Sequence, residues 1–238
     1  MTKHLKPLSA PKFWRIPPKQ RPWVVKPRPG PHKKFDSIPL LIIARDILKL
    51  VETYSEGKSI IKSREIWVDG RPRRDQKYPV GLLDVVDIPK VKKSYRIVPT
   101  NKGLEVLEIP SKESTLKLCR IQGKRLIKDG KLQLSLHDGR NIVVDSKTKK
   151  DNYKTGDSLL IELPSQKIVE HIKLEKNNLG IIIGGQNKGK FVKVKDLKRT
   201  RSREPNKVVC ELEGREFDAV KDYVFMVGSS KPVIKLSG

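Results

Sequence analysis

Arg71, Arg73, Arg74 and Lys77 fall within seven residues, directly after the pair Asp69-Gly70. Cations packed this closely form either a solvated basic loop or a surface that neutralises phosphate, and the second is the chemistry they could do. A second concentration fills the first 35 residues, where ten Lys and Arg and eight prolines occur with no Asp or Glu. His4, Phe13, Trp14, Trp23 and His32 punctuate that arm. Cations meet phosphates while flat rings stack on bases or sugars. Lys3, Lys6, Lys12, Trp14, Arg15, Arg21, Trp23, Lys26, Arg28, His32, Lys33 and Lys34 are therefore candidate RNA contacts. Lys62 and Arg64 extend the same set towards the Arg71 cluster. Further along, Lys188 and Lys190 sit in a Gly-rich loop, and Lys198, Arg199 and Arg201 belong to a run with five basic residues among positions 195–203. That run is either a solvated loop or a track for phosphates.

Other chemistries find little support. His137 and His171 have no carboxylate or Cys at ligand spacing in the sequence, so neither is expected to act in chemistry. Cys119 and Cys210 stand 91 positions apart without a CxxC pair, which excludes a zinc ligand set and points to two buried or half-buried free thiols. The stretch Gly184-x-x-x-x-Gly189-Lys190 approaches a nucleotide phosphate loop, but Phe191 stands where Ser or Thr is needed for magnesium. An alternating strand pattern follows it rather than a helix, so nucleotide binding is rejected. No catalytic residue, metal or cofactor is expected, and no small-molecule substrate.

The charge balance favours a polyanionic partner throughout. Net charge is +25 over 238 residues, spread as +9 for residues 1–36, +5 for 37–100, +4 for 101–170 and +7 for 171–238. Such a field attracts nucleic acid and releases counterions on binding. No stretch reaches 18 apolar residues and no apolar segment follows the N-terminus, so neither a membrane span nor a secretory signal is expected. The chain reads as cytoplasmic.

The elements that position these residues separate into an arm and three domains. Prolines deny the arm a hydrogen-bonded ladder and its charge repels itself, so residues 1–36 are expected to stay extended until bound. Residues 37–98 hold the helical signal: an apolar core helix over 40–51 and a second helix over 58–64 with Ser59 as N-cap. A strand over 65–71 then enters the Asp69-Gly70 turn. Residues 99–170 read as a central β-barrel-like domain, with hairpin signals at Asp129-Gly130 and Asp138-Gly139. Residues 171–238 read as another small β-barrel. The fold class is α+β, multidomain.

Several strings carry a resemblance. Val68-Asp69-Gly70-Arg71 and Tyr78-Pro79-Val80-Gly81-Leu82-Leu83-Asp84-Val85 resemble the alpha-L RNA-binding motif of the archaeal and eukaryotic small-subunit ribosomal protein S4e family. His4-Leu5-Lys6, Ala10-Pro11-Lys12-Phe13-Trp14 and Lys26-Pro27-Arg28-Pro29-Gly30-Pro31-His32 are similar to its N-terminus. Ile182-Ile183-Gly184-Gly185-Gln186-Asn187-Lys188-Gly189-Lys190 resembles a KOW element in an SH3-like barrel, although Phe191 departs from the usual form. The resemblance implies a structural, non-catalytic, rRNA-binding constituent of the small ribosomal subunit that acts in translation. Small-subunit rRNA and neighbouring ribosomal proteins are its partners, and homo-oligomerisation is not expected. A KOW-type transcription-associated RNA-binding protein and an RNA-modifying enzyme carrying an alpha-L module are the alternatives. Sedimentation with ribosomal or polymerase fractions separates the first from the family reading, and turnover on rRNA fragments separates the second.

Overall fold

The computed structural model describes residues 4–145 and 153–236, and Lys3 lies outside them. The chain is mostly β with few helices and divides into two compact units, one built on residues 4–98 and 102–115, the other on 99–101 and the described residues from 116 onward.

A five-stranded sheet, which belongs to the first unit apart from Pro99 and Thr100, runs in the order Arg71–Pro72, Trp67–Val68, Val85–Ile88, Lys93–Thr100, Gly103–Ile109. Ser37–Pro39 pairs separately with Pro79–Gly81. Asp69 and Gly70 both take positive φ, 54° and 69°, as a two-residue hairpin turn requires. The Asp69 carboxylate then accepts the Val85 backbone N–H at 3.0 Å, tying the turn to the next strand.

Both helices differ from their sequence expectation. The helix over 40–51 is shorter: Leu40–Ile42 is α-helical and Ile43–Ile47 widens into a π-turn. The Leu48 N–H donates to the Ile43 carbonyl, and Lys49 turns left-handed at φ 52°. A lysine pays steric strain there that glycine would avoid, so no glycine marks the stop. The second helix spans Tyr54–Lys62 and begins at Thr53, not Ser59. Thr53 Oγ1 accepts the Glu56 N–H at 3.2 Å while the Glu56 carboxylate accepts the Thr53 N–H at 3.3 Å, a reciprocal cap.

The arm is part of this unit's core, which corrects the expectation of an extended, unfolded segment. Leu5 and Val24 bridge as antiparallel partners, closing the arm on itself. Leu5, Trp14, Val24 and Val25 are buried in one apolar cluster with Leu40, Leu41, Ile42, Ile61 and Ile97. The Trp14 indole N–H donates to the Ser37 carbonyl at 2.8 Å. Gly103, at φ 134°, lies so close to Phe13 that a Cβ there would approach the phenylalanine Cβ to 2.2 Å. Apolar anchors at this spacing outweigh the self-repulsion of the charges between them.

The second unit contains two five-stranded antiparallel sheets. One is ordered Asn141–Asp145, Lys131–Leu136, Leu116–Leu126, Ser158–Glu162, Ile168–Ile172. Its long central strand pairs with Ser158–Glu162 through its first half and with Lys131–Leu136 through its second, and a register shift between Ile121 and Gly123 allows the change. The other is ordered Arg215–Val220, Lys207–Leu212, Phe191–Lys198, Leu179–Ile182, Val224–Gly228. Phe191 pairs in register with Ile181 despite its unusual place. Alternating residues such as Leu132, Leu134 and Leu136, or Val192 and Val194, point inward and fill the cores. Both cysteines are free and buried, and burial pushes the Cys210 thiol up to about 11.

Candidate nucleic-acid interface

The first unit brings the arm and the Arg71 cluster to one place. The Arg28 N–H donates to the Lys77 carbonyl at 3.0 Å, and the Arg28 guanidinium pairs with Asp75 at 3.2 Å. Beside this contact opens a cleft of about 400 Å³ lined by Arg21, Trp23, Lys26 and Lys77, together with His4, Arg45 and Tyr54. Trp23 is 49% exposed and Tyr54 43%. His4 meets the Trp23 ring edge-on at 4.4 Å between centroids, and Lys6 Nζ sits 5.9 Å from its centre. Exposed rings among cations can stack unpaired bases while the cations hold the backbone. Arg45 lines the cleft but is already engaged, its guanidinium donating to both Asp46 carboxylate oxygens at 3.0 and 2.8 Å.

Two arm residues expected to contact RNA are enclosed instead. Trp14 is 0% exposed and has no ring face left for a base. His32 Nε2 lies 3.0 Å from the Asp84 carboxylate, with its side chain 5% exposed. The same carboxylate accepts the Gly81 N–H at 2.8 Å, and the imidazole packs so tightly on Gly81 that a Cβ there would come within 2.3 Å of it. The Pro-Gly-Pro-His and Pro-Val-Gly-Leu-Leu-Asp strings therefore meet one another and lock arm to sheet. In the cluster, Arg71 and Arg74 are exposed, while Arg73 and Lys77 are half-buried. Arg73 lies over the Tyr78 ring at 4.2 Å. Lys12, Lys33, Lys62 and Arg64 are exposed, Lys34 covers Phe35, and Arg15 pairs with Glu105.

In the second unit, a strand and not a helix follows the loop at 183–190, which agrees with rejecting a nucleotide phosphate loop. Gly185 has φ 82° and Gly189 φ 83°, and a Cβ on Gly189 would meet the Thr100 backbone at 2.7 Å. Lys188 is half-buried and Lys190 exposed. Lys198 pairs with Asp218 at 3.1 Å, while Arg199, Arg201 and Arg203 are exposed on a turn held by the Thr200 hydroxyl donating to the Glu204 carbonyl.

Neither histidine is isolated, which corrects the sequence reading. His171 Nε2 lies 2.8 Å from Asp157. The ligand atoms of Cys119, His137 and Asp138 lie within 4.8 Å of one another. A cation does not fit there, because Asp138 already faces Lys117 at 3.0 Å and Arg140 at 3.2 Å, and His137 Nδ1 accepts the Arg120 N–H. Burial alone would raise the Asp138 carboxyl, but Lys117, His137 and Arg140 hold it down to about 2. Tyr54 and His4 were missing from the sequence-based set. Tyr54 sits in an acidic stretch beside Glu52 and Glu56, and only the fold carries it to Lys77.

The chain is similar to known proteins along its whole length. The model of the ribosomal family S4e matches residues 91–168, and that of the RS4NT domain matches residues 1–35. The small ribosomal subunit protein eS4 of Methanothermobacter thermautotrophicus is 45% identical, over 99% of this chain and 96% of its own. That of Archaeoglobus fulgidus is 47% identical, over 98% of this chain and 97% of its own. Among solved structures, the 30S ribosomal protein S4e from Thermoplasma acidophilum superposes with a TM-score of 0.68 at 30% identity, covering 82% of this chain and 96% of that one.

Proposed function

This chain belongs to the S4e family of small-subunit ribosomal proteins, and from that premise we infer that it is a structural constituent of the small ribosomal subunit that binds rRNA and stabilises its folded form. It is not an enzyme, and its place is the cytoplasmic ribosome. Family membership displaces the transcription-associated and RNA-modifying alternatives.

The finer reading is that residues 37–98 form an alpha-L module and residues 171–238 a KOW-type SH3-like barrel. The hairpin turn at Asp69-Gly70 supports the first, and five short antiparallel strands closed by Val224–Gly228 on Leu179–Ile182 support the second. The partners are small-subunit rRNA and neighbouring ribosomal proteins, and the chain acts as a single copy.

The observation that carries rRNA binding is the cleft in which half-exposed Trp23 and Tyr54 stand among Arg21, Lys26 and Lys77. On the same unit the exposed cations Lys6, Lys12, Arg71 and Arg74 add to this contact, and on the second unit Lys190, Arg199 and Arg201 are exposed for contacts of their own. Binding of the full chain to small-subunit rRNA, titrated against salt, is the test. Replacing Lys26 and Lys77 by Gln should reduce the log–log slope by about 1.4 to 1.8 units, since each phosphate contact contributes about 0.7 to 0.9. A slope equal to that of the unmodified chain would remove this cleft from the interface.

A further inference from the structure

The second unit holds an open basic cavity, to whose wall the run at 195–203 contributes Leu197, Lys198 and Arg199. It has a volume of about 470 Å³ and is lined by six cations, Lys124, Lys154, Lys198, Arg199, Lys207 and Lys221. Lys198 faces Asp218 at 3.1 Å, Lys207 faces Glu204 at 3.3 Å, and Lys124 Nζ donates to the Tyr153 carbonyl at 3.2 Å. Lys154, Arg199 and Lys221 pair with no carboxylate among the described residues. Among the described residues the one acid in the wall, Asp157, is 1% exposed and already occupied. It accepts the N–H groups of Lys154 and Leu174 at 2.9 Å each and lies 2.8 Å from His171 Nε2. Gly156, at φ 99°, brings the backbone close under Lys221, where a Cβ would sit 2.9 Å from the lysine Cε. Three cations with no carboxylate partner among the described residues thus share the wall of one concave space, where like charges repel and an anion is attracted.

The cavity is too small for a duplex, yet it falls within the range of about 300–1,000 Å³ that small organic ligands occupy. Its wall is not wholly charged. Tyr153, Leu174 and Leu197 supply apolar surface, and the Asn206 amide supplies donors, its oxygen being engaged by the Thr200 N–H at 3.1 Å. Cations around an apolar patch with an amide suit one unstacked nucleotide, phosphates outward and base inward.

Resting on the rRNA-binding reading above, we propose that this cavity captures a single extruded nucleotide of RNA, with Lys154, Arg199 and Lys221 holding its flanking phosphates. It is a second RNA site, built on the other unit from the cleft at Trp23.

The test compares the full chain with two charge-matched triple variants. One carries Lys154→Gln, Arg199→Gln and Lys221→Gln. The control carries Lys128→Gln, Lys131→Gln and Lys167→Gln, three exposed lysines outside the cavity. The probes are small-subunit rRNA, followed by salt titration and chemical acylation of unpaired nucleotides, and ATP without magnesium. The cavity variant is expected to lose about 2 to 3 units of slope, the control less than half of that. One or two nucleotides protected by the unmodified chain should become reactive with the cavity variant alone. Equal slopes for the two variants, or unchanged protection, would overturn the proposal while leaving rRNA binding intact. If the cavity variant loses only affinity for ATP, the site takes free nucleotides and the RNA assignment fails. If the unmodified chain does not bind rRNA, the underlying reading fails first. Should the triple variant not fold, Arg199→Gln alone must lower the slope by about 0.7 to 0.9, and an unchanged slope is again decisive.

Discussion

The N-terminal arm and the loop at 198–206 have the same charge character and opposite fates. Both are dense in Lys and Arg. The arm is stitched into a core through Leu5, Trp14, Val24 and Val25, whereas in the loop Arg199, Arg201 and Arg203 stay at the surface and the chain is held only by a polar turn. Charge density did not separate them. Apolar anchors did, because a cation on a flexible stem remains solvated while the backbone beneath it is fixed by buried neighbours.

That contrast breaks most readily at Trp14. Trp14→Ala should destabilise the first unit by about 3–5 kcal/mol, a large share of the stability of a small domain. Urea unfolding followed by circular dichroism measures this, and a loss below about 1 kcal/mol would return the arm to the status of a loose appendage. A buried charge should behave like a buried ring. Asp138 takes up its proton near pH 3.8 when unfolded but only near pH 2 in the fold, so its contribution is complete above about pH 4 and disappears as pH falls towards 2. The expected loss over that interval is roughly 2 kcal/mol, and Asp138→Asn should flatten this part of the pH–stability curve. Trp23, by contrast, belongs with the surface. Trp23→Ala should cost about 1–3 kcal/mol of rRNA affinity with no change in salt slope, since stacking releases no counterions. The smallest effect is expected in the loop. Arg199→Ser, Arg201→Ser and Arg203→Ser together should shift stability by less than about 0.5 kcal/mol, read from the same urea curves, while still lowering the slope of rRNA binding.

The legible parts of the chain were those where backbone chemistry is local. Asp69-Gly70 and Asp138-Gly139 mark their turns because Gly70 and Gly139 both adopt positive φ, and the alternation of Lys131–Leu136 records a strand with one face inward. The illegible parts depended on distant partners. Nothing near Ser59 excludes it as a cap; Thr53 wins because Glu56 reciprocates. Residues 40–51 carry an uninterrupted helical pattern, and the left-handed turn at Lys49 has no local signature. Trp14 and His32 look like RNA contacts in an arm of cations until Ser37 and Asp84 are brought against them. In the candidate site, Trp23, Lys26 and Lys77 were readable by residue type, but Tyr54 was not, since its own neighbours are acidic.

The seating of the arm also sets an order of events during synthesis. Arg15 pairs with Glu105, 90 positions further along, and Phe13 rests on Gly103. At about 5–20 residues per second, the ribosome delivers those partners roughly 5 to 20 seconds after the arm itself has emerged. Throughout that interval ten cations and two tryptophans are exposed on a nascent chain surrounded by RNA. The newborn protein is therefore at its most indiscriminate before its own middle exists, and completion of the strand Gly103–Ile109 gives Phe13 and Arg15 their partners, leaving Trp23 as the ring on offer.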